Sequence, residues 1–362
     1  MKRKGKFSFA AKIMISSLLL CTAAFCVFRR VPECFSSQTP AVLAAAAFTL
    51  TDGTYKIVAE QEDTESPVKT TVTEQEETAP TASAEANSKE RDKSGYYDSY
   101  ADHTGEEKYE IAENSYFGDG TAVDNCYVKN KTGVDYDFES LLEAPLTFEV
   151  EKNAQTPQVL IYHTHTTEGY MDEDVDYFYE SFYSRTENSD FNVVAVGNAI
   201  ADVLNSKGIA TYHDTTIHDL TYDGAYDRSA ETIKADMEKN EGIKVVLDIH
   251  RDAIGTDECK IKPVFTYNGK KAAQIMILSG CDDGSNWFPN WQNNLNFALK
   301  IQNTAEEMYP GMTRPLSFDY FRYNEYVCDG SLLIEVGTEA SSVDEVEYTG
   351  QLLGNVLAEV LK

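Results

Sequence analysis

The stretch VLIYHTHTTEGY, residues 159–170, passes from a run of apolar residues directly into two histidines and a glutamate. The stretches VVLDIH, residues 245–250, and LLIEVGT, residues 332–338, are built in the same way, with a histidine ending one run and a glutamate inside the other. Short apolar runs rich in Val, Ile and Leu are typical of buried strands in a parallel sheet. The three stretches therefore predict strands that bring polar side chains to their carboxyl ends.

Short β-branched runs alternate with longer amphipathic segments from about residue 116 onward. The predicted strands are residues 158–163, 208–213, 244–249, 273–279 and 331–336. Helical spacing of apolar residues predicts helices near residues 193–204, 226–239 and 291–308. Ser342 and Glu345 have the spacing of a capping box ahead of a C-terminal helix. The pattern predicts an α/β fold, a single domain over residues 116–362 with a central, mostly parallel sheet flanked by helices.

Composition and charge limit the classes of partner. The chain has 362 residues, 42% of them hydrophobic, with 31 Lys and Arg against 60 Asp and Glu and a formal net charge of −29. This hydrophobic content is sufficient for a core and excludes an entirely disordered chain. Since phosphates are held mainly by clustered Lys and Arg, we expect no nucleic acid partner.

The N-terminal region has the pattern of a membrane anchor. Residues 1–12 carry five Lys and Arg, and an apolar run follows over residues 13–28 before Arg29 and Arg30. The run approaches the roughly 17–25 residues of a transmembrane helix, and the basic flank predicts that residues 1–12 stay cytoplasmic while the rest is exported. We therefore predict a transmembrane anchor over residues 13–30. A cleaved signal peptide is the alternative, which the double arginine fits less well.

A disordered acidic linker is predicted over residues 31–115. Residues 51–110 contain 16 acidic and 6 basic residues and are rich in Thr, Glu, Ser and Ala. Apolar side chains are too sparse there to offset the entropy of ordering, so the segment is interpreted as a tether. Beyond it, four scattered cysteines show no zinc-finger spacing, and one disulfide among them stays an open option.

The polar residues at the predicted strand ends form a set suited to zinc. Open α/β sheets bind ligands at the carboxyl ends of their strands, where His165, Glu168, His250 and Glu335 fall. Catalytic zinc commonly takes three protein ligands, including the set of two His and one Glu, and leaves one position for water. His165 and Glu168 can supply two ligands from one turn, and His250 can supply the third from another strand.

Glu335 is the candidate general base. It lies inside an otherwise apolar strand, where desolvation should raise its pKa and suit it to proton transfer from water to a leaving amine. The alternative is a buried structural partner for an arginine such as Arg251.

Other histidines compete as ligands. His163 and His165 alternate along an extended chain and point to opposite faces, so that one of the two can be merely packed. His213 and His218 follow another predicted strand, but the aspartate after each favours ordinary loop capping. One metal ion is the simpler prediction.

Four motifs together resemble a known family. They are HTHTTE at residues 163–168, DLTYDGAYDRS at 219–229, LDIHRDA at 247–253 and LIEVGT at 333–338. With these motifs, residues 120–362 resemble stage II sporulation protein P, a family of membrane-anchored cell-wall amidases of endospore-forming bacteria. That family is similar in fold to zinc-dependent N-acetylmuramoyl-L-alanine amidases, which cleave the amide between muramic acid and the L-alanine of the stem peptide.

The resemblance implies His165 and His250 as zinc ligands, Glu168 as the third and Glu335 as the catalytic carboxylate. One departure keeps the third ligand open between Glu168, His163 and another residue. The general amidases have their glutamate ligand near the start of the following helix, where this chain reads DFNVVAVGN at residues 190–198. The arrangement H-x-x-E is instead similar to that of zinc carboxypeptidases, which favours Glu168.

The resemblance also implies a setting and partners. We expect a single-pass membrane protein with its catalytic domain outside the cytoplasm, at the septum or in the forespore intermembrane space, acting on peptidoglycan with stage II sporulation proteins D and M. The family is also associated with peptide-crosslink cleavage. Two alternatives stay open: a non-catalytic wall-binding scaffold, and an exported zinc carboxypeptidase or endopeptidase. A carboxypeptidase would hold a terminal carboxylate with a cation such as Arg251, Arg228 or Arg322.

Overall fold

The computed structural model describes residues 91–93, 96–285 and 287–362. The predicted cytoplasmic tail, the transmembrane anchor and the linker up to residue 90 lie outside the described residues. Within the described residues, no helix has the length and apolar character needed to cross a membrane.

Twelve strands and five α-helices make up the described part of the chain. The strands are β1 Lys108–Asn114, β2 Thr121–Val123, β3 Cys126–Asn130, β4 Val159–Tyr162, β5 Tyr177–Tyr179, β6 Thr211–His213, β7 Val245–Asp252, β8 Cys259–Tyr267, β9 Lys270–Ala273, β10 Ile275–Gly280, β11 Leu316–Asp319 and β12 Gly330–Thr338. The helices are α1 Phe138–Glu143, α2 Val193–Ser206, α3 Ala225–Lys239, α4 Trp291–Met308 and α5 Val343–Val360, with a 3-10 turn at Glu325–Val327. Each predicted strand and helix is present, and Ser342 and Glu345 form the predicted capping box of α5.

The main sheet has eight strands in the order β2-β3-β11-β10-β12-β7-β4-β6. The four strands β12, β7, β4 and β6, from the centre of the sheet to one edge, run parallel, as predicted. The prediction was incomplete at one side, where β10 runs antiparallel to β12 and β2 antiparallel to β3. Antiparallel neighbours need no crossover helix, so the alternation of strands and helices does not reveal them.

Both faces of this sheet are buried. Val159 and Ile161 of β4 pack in a cluster with residues of α2, α4 and α5, while Leu160 and Tyr162 pack on the other face with Ile233 of α3. Burial on both faces explains why the strands read as continuous apolar runs rather than as alternating patterns.

A second sheet, in the order β5-β1-β8-β9, corrects the predicted domain boundary. β1 pairs parallel with β8 and antiparallel with β5, although its residues fall inside the predicted linker, residues 31–115. Its sequence KYEIAEN buries only Ile111, because a strand with one exposed face needs few apolar residues. The folded unit therefore begins before residue 116.

The segment ahead of β1 also packs on the domain. We call residues 91–93 and 96–103 the strap. Lys93 Nζ lies 3.0 Å from Asp172 Oδ2, and the Tyr96 ring stacks on Phe191 with centroids 4.6 Å apart. Basic and aromatic residues of an otherwise acidic segment thus supply the contacts that composition alone does not show.

Two histidines at the ends of neighbouring strands face each other. His163 Nε2 lies 2.8 Å from His213 Nε2, and His163 Nδ1 lies 2.8 Å from the Ile249 carbonyl oxygen. A Cβ atom on Gly197 would lie only 2.5 Å from His213 Nε2, so α2 closes over the pair at a residue without a side chain. Burial lowers the pKa of His163 to about 3 and that of His213 to about 4, which keeps both rings neutral.

The cysteines of the described residues, Cys126, Cys259, Cys281 and Cys328, are all free. The disulfide left open by the sequence does not form in this structure.

A first prediction concerns the domain boundary. The fragment 116–362 lacks β1 and the strap, so β8 and β5 lose their shared partner and β8 exposes an edge. We expect this fragment to unfold at a lower urea concentration than the fragment 91–362 and to aggregate more readily. The fragment 104–362, which keeps β1 but not the strap, separates the two contributions. Equal urea midpoints for 91–362 and 116–362 would show that β1 is not part of the folded unit.

A second prediction concerns acid stability. The pKa values of His163 and His213 are lower in the folded chain than the value of about 6.5 expected when unfolded, so the unfolded state takes up protons first as the pH falls. The stability that the neutral pair contributes is present above about pH 6.5 and is lost as the pH falls towards about 4. In metal-free protein, His213→Gln should lose less stability than wild type between about pH 7 and about pH 5, measured by urea unfolding. The same pH dependence in both proteins would contradict the account.

Candidate metal centre

The carboxyl ends of three adjacent strands form the floor of the site. β7 pairs parallel with β4 on one side and with β12 on the other. His250 lies in β7, and its partner in the register of β12 is Glu335. The turn after β4 carries His165 and Glu168, closed by a hydrogen bond of 3.0 Å from the Glu168 N–H to the His165 carbonyl. Parallel pairing therefore brings all four predicted site residues to one edge of the sheet.

Three of these side chains form a compact cluster. One ligand atom each from His165, Glu168 and His250 lies within 4.8 Å of the others, and all three residues are buried. His165 Nδ1 is 3.4 Å from Glu168 Oε1, and His250 Nδ1 is 3.2 Å from Glu168 Oε2. The carboxylate of Glu168 thus lies between the two imidazole rings.

The charges of the cluster show that it suits a cation. Burial would raise the pKa of Glu168, but the charge of His250 and hydrogen bonds from both histidines lower that pKa well below its usual range. Burial would lower the pKa of His250, but Asp248 and Glu168 outweigh it and raise that pKa well above its usual range. Buried carboxylates in this arrangement need a positive charge among them.

The donor set fits Zn²⁺. Two imidazoles and one carboxylate form one of the common ligand sets of catalytic zinc. Nδ1 of each histidine faces Glu168, which leaves His250 Nε2 on the far side of its ring, 2.9 Å from Asp248 Oδ1. That nitrogen is buried and has no aligned hydrogen bond within the described part of the chain. The His250 ring is therefore held by the charge of Asp248 on its Nε2 side, and its Nδ1 atom, on the side of Glu168, can form a bond to a metal ion.

Asp248 is a site residue that the sequence analysis did not identify. It is buried, and it accepts hydrogen bonds of 2.8 Å from the Thr164 N–H and 2.7 Å from Thr164 Oγ1. Its position two residues before His250 in β7 places both side chains on one face of the strand. The sequence VVLDIH contained this signal, because a carboxylate inside an apolar strand needs a partner on its own face.

Glu335 lies beside the cluster. Its Oε2 atom is buried and has no hydrogen-bond partner among the described residues. Burial raises the pKa of Glu335, and the nearby Asp252 raises it further, while His250 opposes the shift. The direction of this shift agrees with the expectation from its apolar strand.

The competing histidines lie outside the cluster. Both ring nitrogens of His163 are in contact with other groups, Nε2 with His213 and Nδ1 with the Ile249 carbonyl oxygen. His218 Nδ1 lies 2.7 Å from the His163 carbonyl oxygen, and its Nε2 lies 2.8 Å from Thr232 Oγ1. Both ring nitrogens of His163 and of His218 thus have protein partners, so neither residue offers a free ligand atom.

A second acidic cluster, Glu113, Asp174 and Glu345, already contains cations. The Nζ atom of Lys262 lies 3.5 Å from a carboxylate oxygen of both Glu113 and Glu345, and it forms a shorter contact with Asp174. Lys271 Nζ lies 2.8 Å from Asp174. The ammonium groups provide the balancing charge there, so the cluster is an ion-pair network.

Aromatic rings and one further cation border the metal centre. The Tyr222 ring stacks on His165 with centroids 4.7 Å apart, and the Tyr226 ring contacts the same histidine edge to face, with centroids 5.6 Å apart. Arg185, which the sequence analysis did not single out, forms an ion pair of 2.6 Å with Asp219 and lies 3.6 Å from Glu168. No motif pointed to Arg185, because only the fold of a long loop brings it to the site.

Solved structures give weak matches. The CwlD amidase from Clostridioides difficile, in complex with the GerS lipoprotein, is 13% identical, with 56% of this chain and 98% of that chain covered and a TM-score of 0.36. The N-acetylmuramoyl-L-alanine amidase AmiC2 of Nostoc punctiforme is 12% identical, with 57% and 94% covered and a TM-score of 0.31. The description of the fold therefore relies on the strand pairing of this chain and not on these matches.

Sequence comparisons are decisive for the family. The stage II sporulation protein P of Bacillus subtilis (strain 168) is 27% identical over an alignment of 219 residues, and the match covers 56% of this chain. The same match covers 50% of that protein, so the chain spans about half the length of this curated relative. The family model of stage II sporulation protein P matches residues 38–358, most of the chain. The resemblance carried by the four motifs is confirmed, and the chain belongs to the stage II sporulation protein P family.

Proposed function

We propose that this chain is a zinc-dependent peptidoglycan hydrolase, an N-acetylmuramoyl-L-alanine amidase that cleaves the amide between muramic acid and the L-alanine of the stem peptide. The observation that carries the proposal is the buried cluster of His165, Glu168 and His250, with the ligand atoms within 4.8 Å of one another and Glu335 beside them. Membership in the stage II sporulation protein P family supports it.

His165 and His250, each through Nδ1, and Glu168 would hold the metal. Bound there, Zn²⁺ supplies Lewis-acid chemistry that polarises a carbonyl group and activates water. Asp248 holds the ring of His250 from behind, as carboxylates commonly do for histidine ligands. Tyr222 and Tyr226 both contact the His165 ring and would restrict its rotation.

Glu335 would move the proton. Its buried Oε2 has no partner in the described structure and can accept a proton from the attacking water. The raised pKa of Glu335 favours its holding that proton until the leaving amine nitrogen takes it. The register of β12 and β7 keeps Glu335 on the same face as His250.

The rival carboxypeptidase would need a cation that is free to hold a terminal carboxylate. Arg251 is buried and donates to the carbonyl oxygens of Gly169 and Ser184, and Arg228 donates to backbone carbonyls that include His218. Two of the three cations considered for a terminal carboxylate are therefore engaged by the fold itself.

We further propose that the enzyme acts outside the cytoplasm in septal wall remodelling and engulfment during sporulation, held by the predicted anchor of residues 13–30. Partnership with stage II sporulation proteins D and M stays a prediction. The location is supported by the charge pattern of the N-terminal region, and the setting and the partners are implied only by the family.

The metal ligands can be tested by elemental analysis. Since each histidine supplies one of three ligands, His165→Ala and His250→Ala should lose most of their zinc after brief dialysis. His213→Gln, a histidine outside the cluster, is the matched control and should keep the zinc content of wild type. Full zinc occupancy in His250→Ala, or loss of zinc in His213→Gln, would reject the assignment.

The reaction can be tested by digestion of purified peptidoglycan with the zinc-loaded protein, followed by mass spectrometry of the products. We expect free stem peptides that begin with L-alanine. Glu335→Gln should keep its zinc and lose about 10²–10⁴-fold in rate, the usual contribution of general acid–base catalysis.

Other products have distinct meanings. Cleavage of crosslinks alone would identify an endopeptidase. The absence of any product in the presence of zinc would favour a non-catalytic wall-binding scaffold. A wild-type rate in Glu335→Gln would show that another group moves the proton.

A further inference from the structure

A groove adjoins the metal centre. The strap forms one wall with Tyr96, Tyr97 and His103, and the loop after β5 forms the other with Ser181, Tyr183 and Arg185. Its volume of ≈ 390 Å³ falls in the range of about 300–1,000 Å³ typical of small-ligand sites. The groove is therefore large enough for a short peptide segment.

Backbone pairing fixes the position of Arg185. The Gly169 N–H donates to the Ser184 carbonyl at 2.8 Å, and the Thr186 N–H donates to the Thr167 carbonyl at 2.7 Å. Arg185 is thereby held opposite Glu168 in a short antiparallel bridge, with its Nη2 atom 3.6 Å from Glu168 Oε1. The end of the groove at Arg185 thus adjoins the metal cluster.

The guanidinium of Arg185 has N–H groups that are not used in hydrogen bonds within the described residues. Nη1 donates to Asp219 Oδ2 at 2.6 Å and to Thr167 Oγ1 at 3.3 Å. Within the described residues, Nε makes no hydrogen bond and Nη2 makes only the long ion contact with Glu168. A guanidinium presents five N–H groups and binds carboxylates in a fork geometry, so a second anion can be held beside Asp219. Arg251, by contrast, donates from both Nε and Nη2 to protein oxygens.

The other charged groups that line the groove are occupied. His103 Nδ1 lies 3.0 Å from Glu106 Oε1, and Asp98 accepts a hydrogen bond of 3.0 Å from the Tyr100 N–H. Tyr183 is 70% exposed, and the Tyr222 ring, 5.3 Å below the Arg185 guanidinium, is 61% exposed. The groove thus offers one available cation, Arg185, in a lining that includes the exposed Tyr183 ring, and the Tyr222 ring lies against the same guanidinium.

We propose that this groove binds the peptide part of the substrate and that Arg185 pairs with a carboxylate of that peptide. The inference rests on the proposed function, because it supplies a peptide next to the metal centre. In a chain with a net charge of −29, long-range attraction cannot hold an anionic peptide, so recognition must come from a local cation. The rings of Tyr183 and Tyr222 would cover the apolar parts of the same segment.

The test compares two soluble muramoyl peptides that differ only in whether the stem carboxylates are free or amidated. With the full-length, zinc-loaded chain, we expect a KM about tenfold lower for the free carboxylates, as a charge-assisted hydrogen bond is worth at least that factor. Arg185→Gln should remove this preference, so that the variant shows the same KM for the two peptides. Arg185→Lys, which keeps the charge but not the fork, should keep part of it.

Lys234→Gln is the control. It removes one positive charge at an exposed position of α3 and should keep the wild-type preference. Equal KM values for the two peptides in wild type, or an unchanged preference in Arg185→Gln, would overturn the proposal. The wild-type comparison does not depend on whether a variant folds.

Failure of the proposed function would be seen separately. If neither peptide is hydrolysed, calorimetric titration of the same two peptides into the zinc-loaded Glu335→Gln chain still measures binding. About tenfold tighter binding of the free carboxylates, lost on adding Arg185→Gln, would support the groove even then. Equal affinities would reject it.

Discussion

The parallel pairing of β7 with β4 and β12 is the constraint on which the site depends. It places Glu335 beside His250 in register and brings the turn after β4 to the same edge of the sheet. A slip of one residue would turn every side chain of a strand to its opposite face, so the burial of both faces fixes the site together with the fold. The helices that cover the sheet therefore also determine the chemistry.

Charge balance is the second requirement. Glu168 and Asp248 are buried on either side of His250, whose ring would no longer carry a positive charge once its Nδ1 served as a metal ligand. A divalent cation held by His165, Glu168 and His250 would supply positive charge at this place. The buried carboxylates would thus favour the binding of a cation, whereas in the cluster of Glu113, Asp174 and Glu345 the ammonium group of Lys262 provides the positive charge.

The sequence predicted the parts of the site that follow local rules. The spacing of His165 and Glu168 on one turn and the position of His250 at a strand end were visible, and the structure brings these three residues together. β1 and the strap were missed because their partners lie far away in the sequence. Arg185 was missed because no motif marks it, and only the fold of its loop brings it to Glu168 and Asp219. β1 pairs with residues about 150 positions later, and its acidic composition was interpreted as a tether. A strand with one exposed face can keep such a composition, because its ladder of backbone hydrogen bonds needs few apolar side chains.

The most direct test is a crystal structure of the zinc-loaded protein with anomalous diffraction recorded on both sides of the zinc absorption edge. The account predicts one strong anomalous peak within bonding distance of His165, Glu168 and His250, with Glu335 nearby but not bound to the ion. A peak at Glu113, Asp174 and Glu345 instead, or no ordered peak in crystals that contain stoichiometric zinc, would contradict it.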